Sequence, residues 1–312
     1  MSSPSQKTVF IVNPKAAMGS VRKTWSRIEA LAHEQLGPFE TLVTQEPGDA
    51  TVFTRDSLLK GAETIICLGG DGTLNEIVNG FIERDRPIRP EAALGFIPQG
   101  SGCDFTRTVG IARKPERALE LIKKRIVRPL DLGRLIYEDH GGNESIRFFH
   151  NVTSFGLGGE VDERVNRTSK ALGGFISFIW ATLVSLLIYD KKRIHLKVDD
   201  HFDDTIVTWN IIIGNGCYHG GGMLVAPEAK VDDGLFHITI VGDLTLPQVF
   251  LNLHRLYNGQ ILQVDKVMST TGRHIEATSE QRVLLDVDGE QPGMLPVTVD
   301  MVPAAIPFIT PG

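Results

Sequence analysis

Three short apolar runs near the amino terminus each stop at a loop that is polar or rich in glycine, and each loop precedes a helical pattern. Thr8 to Val12 ends in Asn13-Pro14, Thr64 to Leu68 runs into GGDGT (Gly69 to Thr73), and Ala92 to Ile97 runs into PQGSG at 98–102. Ser20 opens a pattern with Val21, Trp25, Ile28, Leu31 and Ala32 on one face and Gly37 as its stop. Leu74, Ile77, Val78 and Phe81 form the next such face, on a helix predicted to start at Thr73 or Leu74. Phe39 to Thr44 reads as a strand, the segment from Asp49 to about Gly61 as a helix, and Pro115 suits the first turn of a helix reaching about Arg125. This alternation predicts an α/β fold with a doubly wound parallel sheet. The three loops then lie at the carboxyl ends of strands, where open α/β sheets bind ligands.

After Leu130 the period changes. Ile146 to Phe155, Arg193 to Val198, Ile206 to Ile213, Phe236 to Val241, Val283 to Val287 and Val297 to Val302 alternate or are β-branched, with Gly, Asp and Asn turns between them. They predict an antiparallel β-sandwich. With 312 residues, about two domains are expected: residues 1–131, joined by a returning segment at 304–312, and residues 132–303. Inserted in the second is an uncharged run from Ala171 to Tyr189, flanked by Lys170 and by Lys191, Lys192 and Arg193. It is close to the roughly 20 residues that span a bilayer. The strand-rich regions on both sides build one site, which favours a buried, lid or interfacial helix over a spanning one.

A net charge of −6 argues against a global grip on nucleic acid. Locally, seven basic residues between Arg113 and Arg128 face only Glu116 and Glu120. They read as a solvated helix face or as an attraction to anionic lipid head groups. Cysteines 67, 103 and 217 show neither zinc spacing nor a disulfide framework, and no secretory signal is read at the amino terminus. A reducing cytoplasm is the expected location. Glycine supplies 32 of the 312 residues, about one in ten against a usual value of roughly 7%. Half of them fall in the loops described here, which points to backbone approaching a ligand.

In GGDGT, glycines let backbone N–H groups approach phosphate oxygens at a helix amino end. Asp71 is itself negative, so its contact with phosphate implies Mg²⁺ or an ordered water between them. A Walker A loop is absent. Gly100-Ser101-Gly102 is followed by Phe105 where a dinucleotide fingerprint requires a third glycine, so both standard nucleotide motifs are excluded. Glu290, in an Asp-Gly-Glu turn, can project into a cleft or cap an exposed hairpin.

Together, Asn13-Pro14 with Gly19, GGDGT followed by Asn75-Glu76, PQGSGCDFTR at 98–107, NVTSFGLGG at 151–159, Gly214-Asn215, GGGMLVAPEAKVDDGL at 220–235 and Asp288-Gly289-Glu290 resemble the diacylglycerol kinase catalytic-domain family, which includes sphingosine kinases and bacterial lipid kinases. The resemblance covers nearly the whole chain. It implies ATP-dependent phosphorylation of a lipid hydroxyl, most simply on diacylglycerol in phospholipid metabolism, with both domains lining one phosphate-handling cleft. Asn13, Thr44, Gly69, Gly70, Asp71, Gly72, Thr73, Asn75, Gly100 and Ser101 match nucleotide-binding positions. Asp71 matches the carboxylate linked to Mg²⁺ and phosphates, Glu290 the general base, and Lys230, Asp233 and Leu235 a metal site built from two backbone carbonyls and one carboxylate. Peripheral membrane contact through the run from Ala171 to Tyr189 and a homodimer are also expected.

One residue departs from the pattern. Cys103 stands where the family has asparagine, and a thiol is a weaker donor than an amide and carries no carbonyl acceptor. Weakened nucleotide contacts are therefore expected there. The competing readings are a non-catalytic lipid- or nucleotide-binding relative and an NAD kinase-like enzyme.

Overall fold

The computed structural model describes residues 7–100, 102–167, 182 and 184–312. The chain forms two compact units, Met1–Asp131 with Pro303–Gly312, and Leu132–Val302.

In the first unit the elements are β1 (Thr8–Val12), α1 (Ala16–Leu36), β2 (Glu40–Val43), α2 (Asp49–Leu59), β3 (Thr64–Gly69), α3 (Asp71–Phe81), a small hairpin of β4 (Ile82–Glu83) and β5 (Arg86–Pro87), β6 (Ala93–Pro98), α4 (Asp104–Val109) and α5 (Pro115–Lys124). The strands run parallel in the order β2-β1-β3-β6. The last strand of the chain, β19 (Gly293–Ile309), sets Phe308 beside Leu94 of β6, also in parallel. Val12 lies opposite Val43 and Leu68, and Gly69 lies opposite Pro98, so the loops after β1, β3 and β6 leave one end of the sheet. Every residue of β3 and β6 is buried, as near-continuous apolar strands covered on both faces require. Phe10, Ile66, Leu68 and Ile97 pack against Val21, Ile28 and Ala32 of α1 and Ala118, Leu119 and Ile122 of α5.

Two local details refine the sequence reading. Ala17, Met18 and Gly19 adopt left-handed backbone (φ 48°, 56° and 80°), so regular helix in α1 begins only at Ser20. Helix α3 begins earlier than its apolar face indicated, at Asp71. Gly70 is extended and its carbonyl accepts from the Leu74 N–H, which draws Asp71 and Gly72 into the first turn.

The second unit is a sandwich. Its strands are the greater part of β7 (Val127–Asp139), then β8 (Glu144–Phe149), β9 (Val152–Gly156), β10 (Lys192–Val198), β11 (Phe202–Thr208), β12 (Asn210–Gly214), a short pair β13 (Tyr218–His219) and β14 (Met223–Leu224), β15 (Phe236–Val241), β16 (Val267–Gly272), β17 (His274–Thr278), β18 (Leu285–Val287) and the first part of β19. Helices α6 (Leu157–Arg167), α7 (Leu246–Asn252) and α8 (Arg255–Asn258) lie between them. One antiparallel sheet is β16-β15-β12-β9-β18; the other runs β11-β10-β17-β19, with β7 pairing β19 and β8. Phe155, Ile211, Ile213, Phe236 and Ile238 of the first sheet share a core with Leu135, Phe149, Leu196, Ile275 and Val299 of the second.

The run from Ile146 to Phe155, expected as a single strand, divides into β8 and β9, which belong to different sheets. The division falls at His150 and Asn151. There the successive N–H groups of His150, Asn151 and Val152 turn to the carboxylate of Asp288, at 3.1, 3.1 and 3.0 Å. Most of the predicted helix over 171–189 lies outside the described residues. Residues 184–188 are helical, with Leu186 buried and Leu187 and Ile188 exposed. No described helix is long and apolar enough to cross a membrane.

Candidate active site

The glycine-rich loops of the first unit are held in direct contact. A Cβ on Gly100 would sit 2.7 Å from Cα of Gly70, and one on Gly69 would sit 2.7 Å from the Thr73 side chain. Both positions exclude a side chain because the opposing atoms are packed. The Gln99 N–H donates to the Gly69 carbonyl at 2.6 Å, linking the two loops along their backbones. Asn13 completes the cluster: its Nδ2 donates to Thr73 Oγ1 (2.9 Å), and its Oδ1 accepts from the Lys15 N–H (2.9 Å). Thr44 sits beside it at the end of β2, with its N–H and hydroxyl both directed to the Val12 carbonyl. Asn75 is buried within α3 and receives Asn79 Nδ2, so its side chain packs inside the helix layer. Gly72 lies in the first turn of α3, and Ser101 falls outside the described residues.

Cys103 closes the second loop from within. It adopts φ 50° at the start of α4, its Sγ accepts the Gly100 N–H at 3.1 Å, and Arg113 donates to the Gly100 carbonyl at 2.5 Å. Burial, with the nearby Asp71 charge, pushes the thiol up to about 11. The thiol therefore stays protonated and serves as an acceptor for the loop backbone.

The carboxylates of Asp71 and Asp104 converge on Gly102. A Cβ there would lie 3.6 Å from Asp71 Oδ2 and 3.9 Å from Asp104 Oδ2, while the Asp104 N–H reaches Asp71 Oδ2 at 3.3 Å. Two carboxylates thus flank a position without a side chain, and hard oxygen donors are the class Mg²⁺ prefers. The other expected metal position is built differently. Asp233 folds onto its own turn, accepting the Leu235 N–H (3.0 Å) and lying 3.5 Å from His237 Nε2, and Lys230 is exposed at the start of that segment. Among the described residues, no group of three or more His, Cys, Asp or Glu side chains could hold a metal ion.

In the second unit, Asp288 and Gly289 have φ of 51° and 86°, and Val287 and Glu290 exchange backbone hydrogen bonds across them. This is the two-residue hairpin turn that Asp-Gly favours. Asp288 is buried: besides the three N–H groups above, it pairs with His150 Nδ1 at 2.7 Å. Burial alone would raise its carboxyl; the His150 charge and the backbone donors outweigh that and bring it to about 2. Glu290, next along, is half-exposed, and its Oε2 lies 2.5 Å from Arg147 Nη2 on β8.

Asp286, on the strand that enters this turn, lines an apolar cavity of about 160 Å³. Leu157 and Val161 of α6, Leu186, Trp209, Val249 and Leu256 form much of its wall. Ser154, Asp162, His219 and Asp286 supply polar groups at its lining. His219 Nε2 is 2.7 Å from Asp286 Oδ2, and Gly289 N–H donates to Asp286 Oδ1 at 2.9 Å. Burial and the neighbouring Asp286 hold the Asp162 carboxyl well above the ordinary aspartate range, whereas His219 overcomes burial to keep Asp286 below it. The two carboxyl groups are hydrogen-bonded to each other, with burial favouring the protonated form of Asp162 and His219 the ionised form of Asp286; Asp162 Oδ2 has no hydrogen-bond partner among the described residues.

Sequence reasoning missed Asp104, Arg147, Asp162, His219 and Asp286 as site residues. Only Asp104 had a nearby signal, through its place in PQGSGCD. The others converge from separated strands and a helix, which no local spacing records.

The model of the diacylglycerol kinase catalytic domain matches residues 7–135, and that of the YegS C-terminal NAD kinase beta sandwich-like domain matches residues 151–310. The chain belongs to the diacylglycerol kinase catalytic-domain family, as a kinase of the YegS-like type. Among relatives named "Probable lipid kinase YegS-like", that of Xanthomonas euvesicatoria pv. vesicatoria (strain 85-10) is 30% identical, with 86% of each chain covered. The relative from Klebsiella pneumoniae (strain 342) is 32% identical, covering 85% of this chain and 83% of its own. A crystal structure of a diacylglycerol kinase from Bacillus anthracis str. Sterne shares the fold at TM-score 0.72 and 22% identity, covering 99% of this chain and 98% of that one.

Proposed function

We propose that this chain transfers the γ-phosphoryl group of ATP to the hydroxyl of a lipid, with diacylglycerol or a related lipid alcohol as acceptor. The observation that carries the acceptor class is the apolar cavity with a protonated carboxyl at its lining, in the same unit as Glu290. Acyl chains match its Leu, Val and Trp walls, while Asp162, whose proton is shared with Asp286, can accept from a hydroxyl through Oδ2. Glu290 is near enough that its charge adds to the upward shift of Asp162.

Phosphoryl transfer to an alcohol needs positioning, charge neutralisation and a base, and no covalent nucleophile. Backbone N–H groups of the Gly69–Gly72 loop, with Asn13, would bind and orient the phosphates, and Gly100 would keep the second loop close against Gly70. Asp71 and Asp104 would hold Mg²⁺. When bound, this ion neutralises phosphate charge. Glu290 takes the proton of the acceptor hydroxyl. Peripheral contact with a membrane and a cytoplasmic location accompany this reading, and liposome co-sedimentation tests the contact.

The direct test is transfer of labelled phosphate from ATP to a lipid panel in mixed micelles, by wild type and Glu290→Gln. Transfer to a lipid by wild type and its loss in the variant are the expected results. Phosphorylation of soluble NAD in place of every lipid would overturn the acceptor class, and undiminished transfer by Glu290→Gln would remove the base.

A further inference from the structure

Glu290 does not stand alone. Arg147 projects from β8, opposite Leu135 of β7, and meets Glu290 Oε2 at 2.5 Å across 143 residues of sequence. The side chains differ in exposure, 18% for Arg147 against 46% for Glu290, so the guanidinium is the buttress and the carboxylate is the exposed face. The turn carrying Glu290 is fixed from behind. Asp288 is bound by three backbone N–H groups and His150, and Val287 and Glu290 exchange backbone hydrogen bonds. Tyr137 on β7 lies close enough to feel both charges: burial pushes its phenol up, Arg147 lowers it, and Asp139 and Glu290 raise it further. Arg147 and Glu290 therefore form a cation–carboxylate pair at a defined place, on a support that leaves the carboxylate little freedom to drift.

The chemistry of the transfer gives this pair a second use. Before reaction, the Glu290 carboxylate offsets the charge of Arg147. During transfer the acceptor O–H bond breaks and its proton goes to Glu290. The acceptor oxygen forms its bond to phosphorus, and the bond from phosphorus to the β,γ-bridging oxygen breaks, its electron pair leaving with the nucleoside diphosphate. Arg147 keeps all its protons throughout. The proton leaves towards wherever the carboxylate is held, and Arg147 is the side chain seen to hold its Oε2. A hydroxyl in hydrogen-bond reach of Glu290 is about 3 Å from it, and a misplacement of about 1 Å at a reacting centre can cost about 100-fold in rate.

We propose that Arg147 is a positioning residue for the transfer: it fixes the Glu290 carboxylate where that group takes the acceptor proton. This inference rests on the reading of Glu290 as base. A base held in place for proton transfer acts chiefly in the transition state, so its positioning raises kcat with little effect on KM. A residue that served only the packing of β8 would not show that division.

The experiment compares wild type, Arg147→Gln, Arg147→Lys, Arg147→Ala, Glu290→Gln and the double variant Arg147→Gln/Glu290→Gln in the labelled-phosphate assay, with thermal unfolding of each. Arg147→Gln is expected to lower kcat by about 100-fold, the scale of removing one preorganised electrostatic group, and to leave KM for ATP and lipid nearly unchanged. Arg147→Lys, which keeps the charge and loses the planar fork, should recover part of the rate. Added guanidinium ion should restore part of the rate to Arg147→Ala. The double variant should be no slower than Glu290→Gln, because Arg147 acts through that carboxylate. A kcat for Arg147→Gln near the wild-type value, with Glu290→Gln inactive, would overturn the inference and leave the base intact. Full activity of Glu290→Gln would instead overturn the base itself. If Arg147→Gln fails to fold, Arg147→Lys and guanidinium rescue decide: a Lys variant as slow as Ala, with no rescue, overturns the inference.

Discussion

Replacing Asp288 by Asn removes one charge from a site built around it, and the cost follows from its pKa. In the folded protein the carboxyl lies at about 2 against an ordinary value of 3.8. The folded state therefore favours the ionised form by about 2 kcal/mol. The group is buried, so solvent screening does not diminish this figure. The sign follows from linkage. Because the folded value is depressed, the stabilisation is complete well above pH 3.8 and is lost as pH falls towards 2. The Asn amide has one oxygen for the His150, Asn151 and Val152 N–H groups, and its own NH₂ faces them as a competing donor. Urea unfolding of both proteins at pH 7, 4 and 2.5 reads the effect. At pH 7 Asp288→Asn should be less stable by about 2 kcal/mol. Between pH 4 and 2.5 the wild type should lose stability more steeply than the variant, and the two should approach each other. Parallel curves, with an equal loss on acidification, would refute the claim that these donors stabilise an ionised Asp288.

Three further outcomes follow from the same structure. Gly100→Ala should raise KM for ATP and cost about 1–3 kcal/mol by overpacking, since its Cβ would meet backbone of Gly70 and the Cys103 sulfur; an unchanged KM would show that the two loops need not touch. Asp286→Asn should cost about 3–5 kcal/mol in urea unfolding, because it leaves His219 beside a buried neutral group, whereas Asp162→Asn, replacing a carboxyl already protonated, should cost far less; equal losses would contradict that assignment. At pH 7.5 iodoacetamide should label Cys217, which is partly exposed, well before Cys103, whose burial and pKa of about 11 leave under about 0.1% thiolate; early labelling of Cys103, read by peptide mass, would contradict the buried thiol.

The fold of the first unit was readable because its signal is local. Each loop follows a strand of consecutive buried residues, and Gly69, Gly70 and Gly100 are dictated by contacts within or between two short segments. The replacement of asparagine by Cys103 looked like a loss, yet the sulfur accepts the Gly100 N–H, a contact that depends on left-handed backbone at Cys103 and not on residue type alone. On the acceptor side the sequence was less explicit. Nothing between Ile146 and Phe155 marks a turn, since the feature that divides that run is a carboxylate more than 130 residues away. The cavity lining is scattered in the same manner across α6, β9, β12, β13, β18 and α7. Periodicity reports which face of an element is buried; it does not report which elements meet at a polar group.

The return of residues 303–312 to the first unit has a consequence for how the protein is made. Phe308 supplies a parallel neighbour for β6, and Ile309 packs in the core beneath α5. That part of the nucleotide-side fold is absent until all of residues 132–302 have been synthesised. During translation β6 would emerge early with a sheet edge lacking its later neighbour, and such an edge is prone to pair with other chains. The first half should therefore depend on chaperone cover until the last strand arrives. Expressed without residues 303–312, it should be recovered mainly in the insoluble fraction.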